Sequence, residues 1–146
     1  MTINKRRIGN TSLEISELGM GTAPIGGWPI EVKEDQAFKT LNRAWERGIR
    51  YFDTAPLYGS GMAEQRLGNF LKFKPRNNFF ISTKVGRKLV KTNYSKAADK
   101  FIGSPKNKDS EFDFSYDGVM RTFDNSLSRL KMDYIDILYL HDPDNH

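Results

Sequence analysis

The sequence has 146 residues, of which 38% are apolar and 12% aromatic, and its formal net charge is +5. That length suits one domain and is too short for two, and the apolar share is large enough to bury a core, which excludes a disordered tail. The chain contains no cysteine, so a disulfide framework and thiolate chemistry are both excluded.

The apolar pattern predicts an N-terminal β-hairpin followed by strands and helices in alternation. The predicted elements, in chain order, are a hairpin at 5–17, a strand at 18–23, a helix at 34–47, a strand at 49–53, a helix at 62–72, a strand at 79–84, a helix at 116–131 and a strand at 134–140. Residues 86–112 have no clean periodicity, and a loop of that length within a domain is either functional or disordered. A repeated strand–helix order is typical of an α/β fold with a parallel sheet.

Polar side chains stand where three successive strands of this pattern end. Asp53, Lys84 and His141 each close a strand, and Tyr58 lies on the loop that follows Asp53. In a (β/α) barrel these strand ends meet on one face, which is where active sites lie. Each residue alone has a structural interpretation, since Asp53 could cap a turn, Lys84 could begin a basic loop and His141 could be a hydrogen-bonded core histidine. Their joint placement favours an active site.

The motifs around these residues resemble the aldo-keto reductase superfamily. The matching segments are Gly48-x-Arg50-x-Phe52-Asp53-Thr54-Ala55, Tyr58-Gly59-x-Gly61-x-x-Glu64-x-x-Leu67-Gly68, Ser82-Thr83-Lys84 and Asp133-Tyr134-Ile135-Asp136-Ile137-Leu138-Tyr139-Leu140-His141. The long insertion, with Phe112-Asp113-Phe114-Ser115 behind it, looks most like the aldose 1-dehydrogenase and pyridoxal 4-dehydrogenase branch. The resemblance implies an eight-stranded (β/α) TIM barrel and an NAD(P)-dependent oxidoreductase of carbohydrate or aldehyde metabolism.

The resemblance also implies a role for each strand-end residue. Hydride transfer to a carbonyl builds negative charge on its oxygen, so a proton donor must stand beside it, and the family implies Tyr58. A free tyrosine has a pKa near 10, and a neighbouring ammonium group stabilises the phenolate. Lys84 would supply the ammonium and Asp53 would hold it, while His141 would hydrogen-bond the substrate oxygen. In the oxidative direction Tyr58 would act as the base.

The cofactor implied by the resemblance is NADP or NAD, and the substrate is a small carbonyl compound or a sugar. Gly21 and Thr22, at the end of the first strand, would lie with Asp53 near the nicotinamide. No metal is expected. The sequence closes with a cluster that includes His141 and His146, but two histidines near a chain end are more often accidental than metal ligands.

The composition favours a cytoplasmic protein with neither a membrane nor a nucleic-acid partner. No apolar h-region follows the basic residues near the N-terminus, and no apolar run approaches membrane-spanning length. Much of the positive charge lies in 84–108. A solvated loop is the simpler interpretation of that segment, because no recognised nucleic-acid-binding fold accompanies it.

A closed barrel needs eight strands and about 250 residues, whereas this sequence provides four βα units. The expected fold is therefore the N-terminal half of a barrel over residues 1–146, with 86–112 as a loop insertion. We expect such a half to hold the catalytic residues and to be inactive by itself. The alternative is a non-catalytic half-barrel or interaction module that self-associates through open sheet edges.

Overall fold

An antiparallel hairpin begins the described part of the chain, which covers residues 3–145 of a computed structural model. Its two strands pair in the register Arg6 to Ile15, which confirms the predicted hairpin. The helices and strands, in chain order, are β1 (Lys5–Arg7), β2 (Glu14–Ser16), β3 (Met20–Gly21), α1 (Glu34–Glu46), β4 (Tyr51–Asp53), α2 (Met62–Leu71), β5 (Phe80–Val85), β6 (Arg87–Lys91), α3 (Lys96–Lys100), β7 (Lys108–Phe112), α4 (Tyr116–Leu130) and β8 (Ile137–Leu140).

The main sheet has four parallel strands in the order β3, β4, β5, β8. Helices connect these strands, so the predicted parallel βα architecture is confirmed. Strand β8 is shorter than the predicted span 134–140. Just before it the Asp136 N–H donates to the Ile81 carbonyl at 3.2 Å, but the Ile81 N–H donates to the Asp136 carboxylate at 2.8 Å rather than to a backbone carbonyl. The carboxyl ends of all four strands point to one edge of the sheet.

The hydrophobic core fills the space between this sheet and its helices. Phe52 and Ile81 come from β4 and β5, and they are fully buried with Leu41 of α1, Leu67 of α2 and Leu130 of α4. Full burial of a side chain of this size contributes about 1.5–3 kcal/mol relative to exposure. The core therefore fixes the strands from their helix-facing side.

The ends of the helices follow the sequence signals expected of them. The Ser115 hydroxyl accepts the Gly118 N–H at 3.1 Å and caps the start of α4, as predicted. Gly48 follows α1 with a φ of +91°, a left-handed conformation that glycine adopts without steric cost. None of the helices within residues 3–145 is both long enough and apolar enough to span a membrane.

The insertion at 86–112 has regular secondary structure, which corrects the prediction of a loop. Strands β6 and β7 form an antiparallel hairpin, and the short helix α3 lies in the connection between them. The insertion is tied to the body of the domain where the Ile102 N–H donates to the Gly27 carbonyl at 2.9 Å and the Ser60 hydroxyl donates to the Lys108 carbonyl at 3.2 Å. A Cβ on Gly27, whose φ is +100°, would collide with the Ile102 carbonyl, so the contact requires glycine.

Candidate active site

The structure brings the four predicted site residues together at the carboxyl end of the parallel sheet. Asp53 is the last residue of β4, Lys84 lies near the end of β5, and His141 directly follows β8. Tyr58 lies in the loop between β4 and α2. The parallel sheet produces this clustering because each strand delivers its last polar residue to the same edge.

The Lys84 ammonium is the centre of the cluster. Its Nζ donates to Asp53 Oδ2 at 2.7 Å, to the Thr54 carbonyl at 2.9 Å and to the Tyr58 hydroxyl at 3.0 Å. The three acceptors match the three N–H donors of an ammonium group. The Lys84 side chain is 14% exposed and that of Asp53 is 28% exposed, so the pair is only partly shielded from solvent. Lys84 is thus fixed with one proton directed at the phenol.

His141 lies beside the phenol as a neutral imidazole. Its ring centroid is 6.0 Å from that of Tyr58, in an edge-to-face arrangement. Burial lowers the pKa of His141 to about 4, with the positive charges of Lys84 and Arg87 acting in the same direction and Asp142 opposing them. The Nδ1 atom is buried without a hydrogen-bond partner among the described residues, unlike the hydrogen-bonded core histidine considered from the sequence. A neutral ring can donate one hydrogen bond and accept another.

The insertion also reaches the phenol. Phe101, which follows α3, is 6% exposed, and its ring centroid lies 6.0 Å from that of Tyr58. Between the insertion and the active-site face is a cleft of about 300 Å³, whose lining includes Leu57, Phe101 and Asp142. A segment that leaves the sheet directly after Lys84 thus returns to form one wall next to Tyr58.

The first strand end fits a nicotinamide in part. Gly21 is exposed, and a Cβ built on it would meet nothing within 4 Å, so a flat group can approach the backbone there. Thr22 is fully buried, its N–H donates to the Asp53 carbonyl at 2.9 Å, and its hydroxyl has no partner within residues 3–145. Gly21 and the exposed edge of Asp53 can therefore contact a cofactor, whereas the Thr22 side chain lies beneath the surface.

Four residues that support the cluster were not predicted as site residues, although Ser82, Thr83 and Glu64 stand in the quoted motifs and only Arg129 lies outside them. Ser82 donates to Asp53 Oδ1 at 2.7 Å. The Glu64 carboxylate is fully buried, accepting from the Thr83 hydroxyl at 2.8 Å and from Arg129 Nε at 2.6 Å, and it thereby ties α2 and α4 to β5 next to Lys84. The alternation Ser82-x-Lys84 indicates a shared face for that serine, but no local signal indicates that Glu64 is buried.

Within residues 3–145, no group of three or more histidine, cysteine or acidic side chains is arranged to hold a metal ion. His146 of the terminal cluster lies outside the described residues.

Comparison with known proteins identifies relatives of this chain. The Aldo/keto reductase family matches residues 17–146. The chain is 46% identical to a pyridoxal 4-dehydrogenase from Microbacterium luteolum, over 94% of this chain and 43% of that protein. It is 42% identical to a D-threo-aldose 1-dehydrogenase from a Pseudomonas species, over 92% of this chain and 42% of that protein. The structure of a glycerol dehydrogenase from Gluconobacter oxydans superposes with a TM-score of 0.75 at 30% identity, over 99% of this chain and 41% of that one.

The chain therefore belongs to the aldo/keto reductase family. The fold of the family is an eight-stranded (β/α) barrel, and the parallel strands and helices described here form part of one. The chain spans about two fifths of the length of the curated relatives it matches.

Proposed function

We propose that this chain carries the catalytic residues of an NAD(P)-dependent oxidoreductase that interconverts an aldehyde, ketone or sugar hemiacetal with its alcohol or lactone. The observation that carries the proposal is the placement of Lys84 Nζ, 2.7 Å from the Asp53 carboxylate and 3.0 Å from the Tyr58 hydroxyl. A phenol bonded to an ammonium group is suited to exchange a proton, because the positive charge stabilises the phenolate that forms.

Tyr58 acts as the general acid in reduction and as the general base in oxidation. A carbonyl that accepts hydride becomes an alkoxide, and the phenol gives that oxygen its proton. Lys84 stabilises the phenolate left behind, and Asp53 holds Lys84 in position through the 2.7 Å ion pair. His141, neutral because burial lowers its pKa to about 4, hydrogen-bonds the substrate oxygen and orients it toward Tyr58.

The cofactor, NADP or NAD, supplies or accepts the hydride when bound. On this chain Gly21 and Asp53 are the residues that would hold its nicotinamide end, because the space over Gly21 is open. Thr22, whose N–H bonds the Asp53 carbonyl, holds the end of β3 against β4 beneath that site. No metal takes part in the proposed reaction.

The proposed substrate class is a sugar or a small carbonyl compound. Support comes from the names of two relatives, a D-threo-aldose 1-dehydrogenase and a pyridoxal 4-dehydrogenase. The cysteine-free composition supports a cytoplasmic location for this carbohydrate chemistry.

The test is a Tyr58→Phe variant of a protein in which these residues form part of a closed barrel. The proposal predicts loss of turnover by about 10²–10⁴-fold with the cofactor dissociation constant nearly unchanged, because the phenol acts in the transition state. Tyr116→Phe is the matched control, since it removes the same hydroxyl from an exposed tyrosine that makes none of the hydrogen bonds of the cluster. Near-normal kcat in Tyr58→Phe would refute the assignment of Tyr58.

For a preparation of the 146 residues alone we propose a different outcome, in which the chain neither turns over nor binds cofactor measurably. Four parallel strands do not close a barrel, so part of the inner face, including Tyr139 at 44% exposure, stays open to solvent. Fluorescence titration with NADPH and NADH checks this. Micromolar binding by a monodisperse monomer would contradict it.

A second candidate function is self-association through the sheet edge. Strand β8 pairs only with β5 within the described residues, and Leu138, Tyr139 and Leu140 are 44%, 44% and 57% exposed. An exposed apolar edge strand is a template for pairing with another chain. Sedimentation of the purified chain distinguishes the candidates, because a stable dimer without cofactor affinity supports an interaction module and a monomer argues against it.

A further inference from the structure

The Asp53 carboxylate is held through both of its oxygens, and only one of these contacts involves Lys84. Oδ2 accepts from Lys84 Nζ at 2.7 Å, while Oδ1 accepts from the Ser82 hydroxyl at 2.7 Å. A carboxylate that is hydrogen-bonded through only one oxygen can rotate, and the position of its ion-pair partner is then less well fixed. With both oxygens engaged, rotation of Asp53 would break one bond or the other.

The backbone register explains why Ser82 is in reach. Asp53 of β4 and Ser82 of β5 are directly paired in the parallel ladder. Side chains alternate between the two faces of a strand, so Tyr51 shares a face with Asp53, and Ser82 shares one with Lys84. Two alternating pairs on neighbouring strands therefore form a patch of four polar side chains on the face opposite the core residue Phe52.

A second hydroxyl group completes the arrangement. The Tyr51 hydroxyl lies 3.0 Å from Ser82 Oγ. A serine hydroxyl has one proton, and the carboxylate only accepts, so Ser82 gives its proton to Asp53 and Tyr51 donates to Ser82. Burial, with Tyr139 and Asp53 acting in the same direction, raises the pKa of Tyr51 to about 12, above an ordinary value that already keeps the phenol protonated at neutral pH. The hydrogen bonds thus run in one direction, from Tyr51 through Ser82 to Asp53.

The position of the Tyr51 ring is itself fixed. A Cβ built on Gly19 would lie 2.6 Å from Tyr51 Cδ1, so the ring packs where glycine leaves room. Ser82 is fully buried, and solvent therefore does not compete for its hydroxyl. Gly19 thus makes room for the Tyr51 ring, whereas the space at Gly21 is open.

We propose that Ser82, supported by Tyr51, is a positioning residue that fixes the Asp53 carboxylate and thereby keeps Lys84 directed at the Tyr58 hydroxyl. The catalytic consequence of this role rests on the proposed function, but the positioning itself does not. Ser82 is fully buried, has Asp53 and Tyr51 as its side-chain hydrogen-bond partners, and acts through Asp53.

The test is residue-resolved acetylation of lysines in the 146-residue chain, read by mass spectrometry, because it needs no turnover. Lys84, 14% exposed and with its three protons engaged, should react much more slowly than the exposed Lys72. Ser82→Ala should raise the ratio of the Lys84 rate to the Lys72 rate about five- to tenfold, since it removes a hydrogen bond to a charged group, and Tyr51→Phe should raise it about twofold. Ser82→Thr keeps the hydroxyl and should restore most of the protection.

Ser16→Ala is the matched control. Ser16 is also a buried strand serine, but its hydroxyl donates to the Leu18 carbonyl away from the cluster, so the ratio should not change. If Ser82→Ala does not fold, Tyr51→Phe and Gly19→Ala, which displaces the Tyr51 ring, carry the test. An unchanged ratio in the folded variants would overturn the proposal, and so would an unaltered chain whose Lys84 reacts as fast as Lys72.

A second measurement separates this proposal from the proposed function. In a closed barrel, Ser82→Ala should lower kcat about tenfold with KM unchanged, and it should shift a limb of the pH profile of kcat. Increased acetylation of Lys84 together with normal kcat would support the positioning role and count against the catalytic role of Lys84. Unchanged acetylation of Lys84 together with lowered kcat would count against the positioning role of Ser82 and leave the catalytic role of Lys84 standing.

Discussion

Two ion pairs of nearly equal length lie at opposite ends of the same parallel sheet. At the carboxyl end Lys84 Nζ is 2.7 Å from Asp53, and at the amino end Arg76 Nη2 is 2.6 Å from Asp136. The Arg76 guanidinium also donates to the Phe79 carbonyl at 2.9 Å and stacks 3.8 Å from the Tyr134 ring centroid. The two pairs thus have the same charges and almost the same geometry.

The difference lies in what surrounds each pair. The Asp136 carboxylate is 8% exposed and also accepts a backbone N–H, so the amino-end pair is enclosed by backbone and aromatic groups. The carboxyl-end pair has a phenol within hydrogen-bond reach and a neutral imidazole beside that phenol. In a (β/α) barrel the amino-terminal end of the sheet serves stability and the carboxyl-terminal end serves catalysis. The two ion pairs therefore differ in the groups that surround them, and the carboxyl-end pair is the one with a phenol within hydrogen-bond distance.

The largest expected effect is on kcat, and it distinguishes the two ion pairs. Lys84→Met, in a closed barrel, should lower kcat by about 10²–10⁴-fold, because the phenolate loses its neighbouring positive charge. Arg76→Met, which removes the same charge at the other end, should leave kcat within about twofold of normal in the folded fraction. Steady-state kinetics of both variants checks this. Equal losses of kcat would show that the two ends are not functionally distinct.

The next effect concerns the free energy of unfolding, for which the amino-end pair should matter. Asp136→Asn leaves the largely buried Arg76 without its counter-charge and should lower the free energy of unfolding by about 3 kcal/mol. Asp35→Asn is the control, because Asp35 pairs with Lys39 at 3.3 Å on the exposed face of α1, where loss of the pair should leave the free energy of unfolding almost unchanged. Urea unfolding at pH 7 measures both. A cost below 1 kcal/mol for Asp136→Asn would contradict a structural role for the amino-end pair.

A smaller effect is expected from His141 in acid. Its pKa in the folded chain, about 4, lies below the ordinary value of 6.5, so between these pH values the unfolded chain binds a proton that the folded chain does not. The free energy of unfolding should therefore fall as the pH drops from 6.5 to 4, by about 2 kcal/mol. Comparing the pH dependence of urea unfolding with that of His141→Gln isolates this contribution. Identical slopes for the two proteins would show that His141 ionises freely in the fold.

The smallest effect is expected for the Arg87–Asp142 ion pair, which lies beside the carboxyl-end cluster. Arg87 Nη2 pairs with Asp142 at 2.6 Å, but the Asp142 side chain is 58% exposed. Asp142→Asn should cost only about 0.5 kcal/mol, and salt should screen most of that. The substitution should also lower the pKa of His141 further, because the Asp142 charge raises it. Unfolding at low and high salt, with NMR titration of the imidazole, checks both expectations.

Much of the candidate site could be predicted because it depends on local order. The strand–helix alternation and the polar residue at each strand end can be recognised in the sequence. In a parallel sheet these strand ends lie next to one another at one edge. Asp53, Lys84 and Tyr58 were brought together in this way. Ser82 could have joined them, since Ser82-x-Lys84 has the two-residue period of one strand face.

The rest depended on contacts between distant parts of the chain. The insertion escaped prediction because β6 and β7 are charged strands whose residues are half-buried or exposed, so no apolar alternation marks them. Their pairing is decided by the chain folding back on itself.

The sequence alone determined the order of elements, the caps of the helices and the side of the sheet on which the polar residues gather, because each depends on neighbours within one turn or one strand. Only the tertiary structure decided that Glu64, one residue from the core residue Ala63, is fully buried against Arg129. It also decided that Nδ1 of His141 has no partner among the described residues. Burial and hydrogen bonding of this kind depend on what another element places opposite a side chain, and no local pattern specifies that partner.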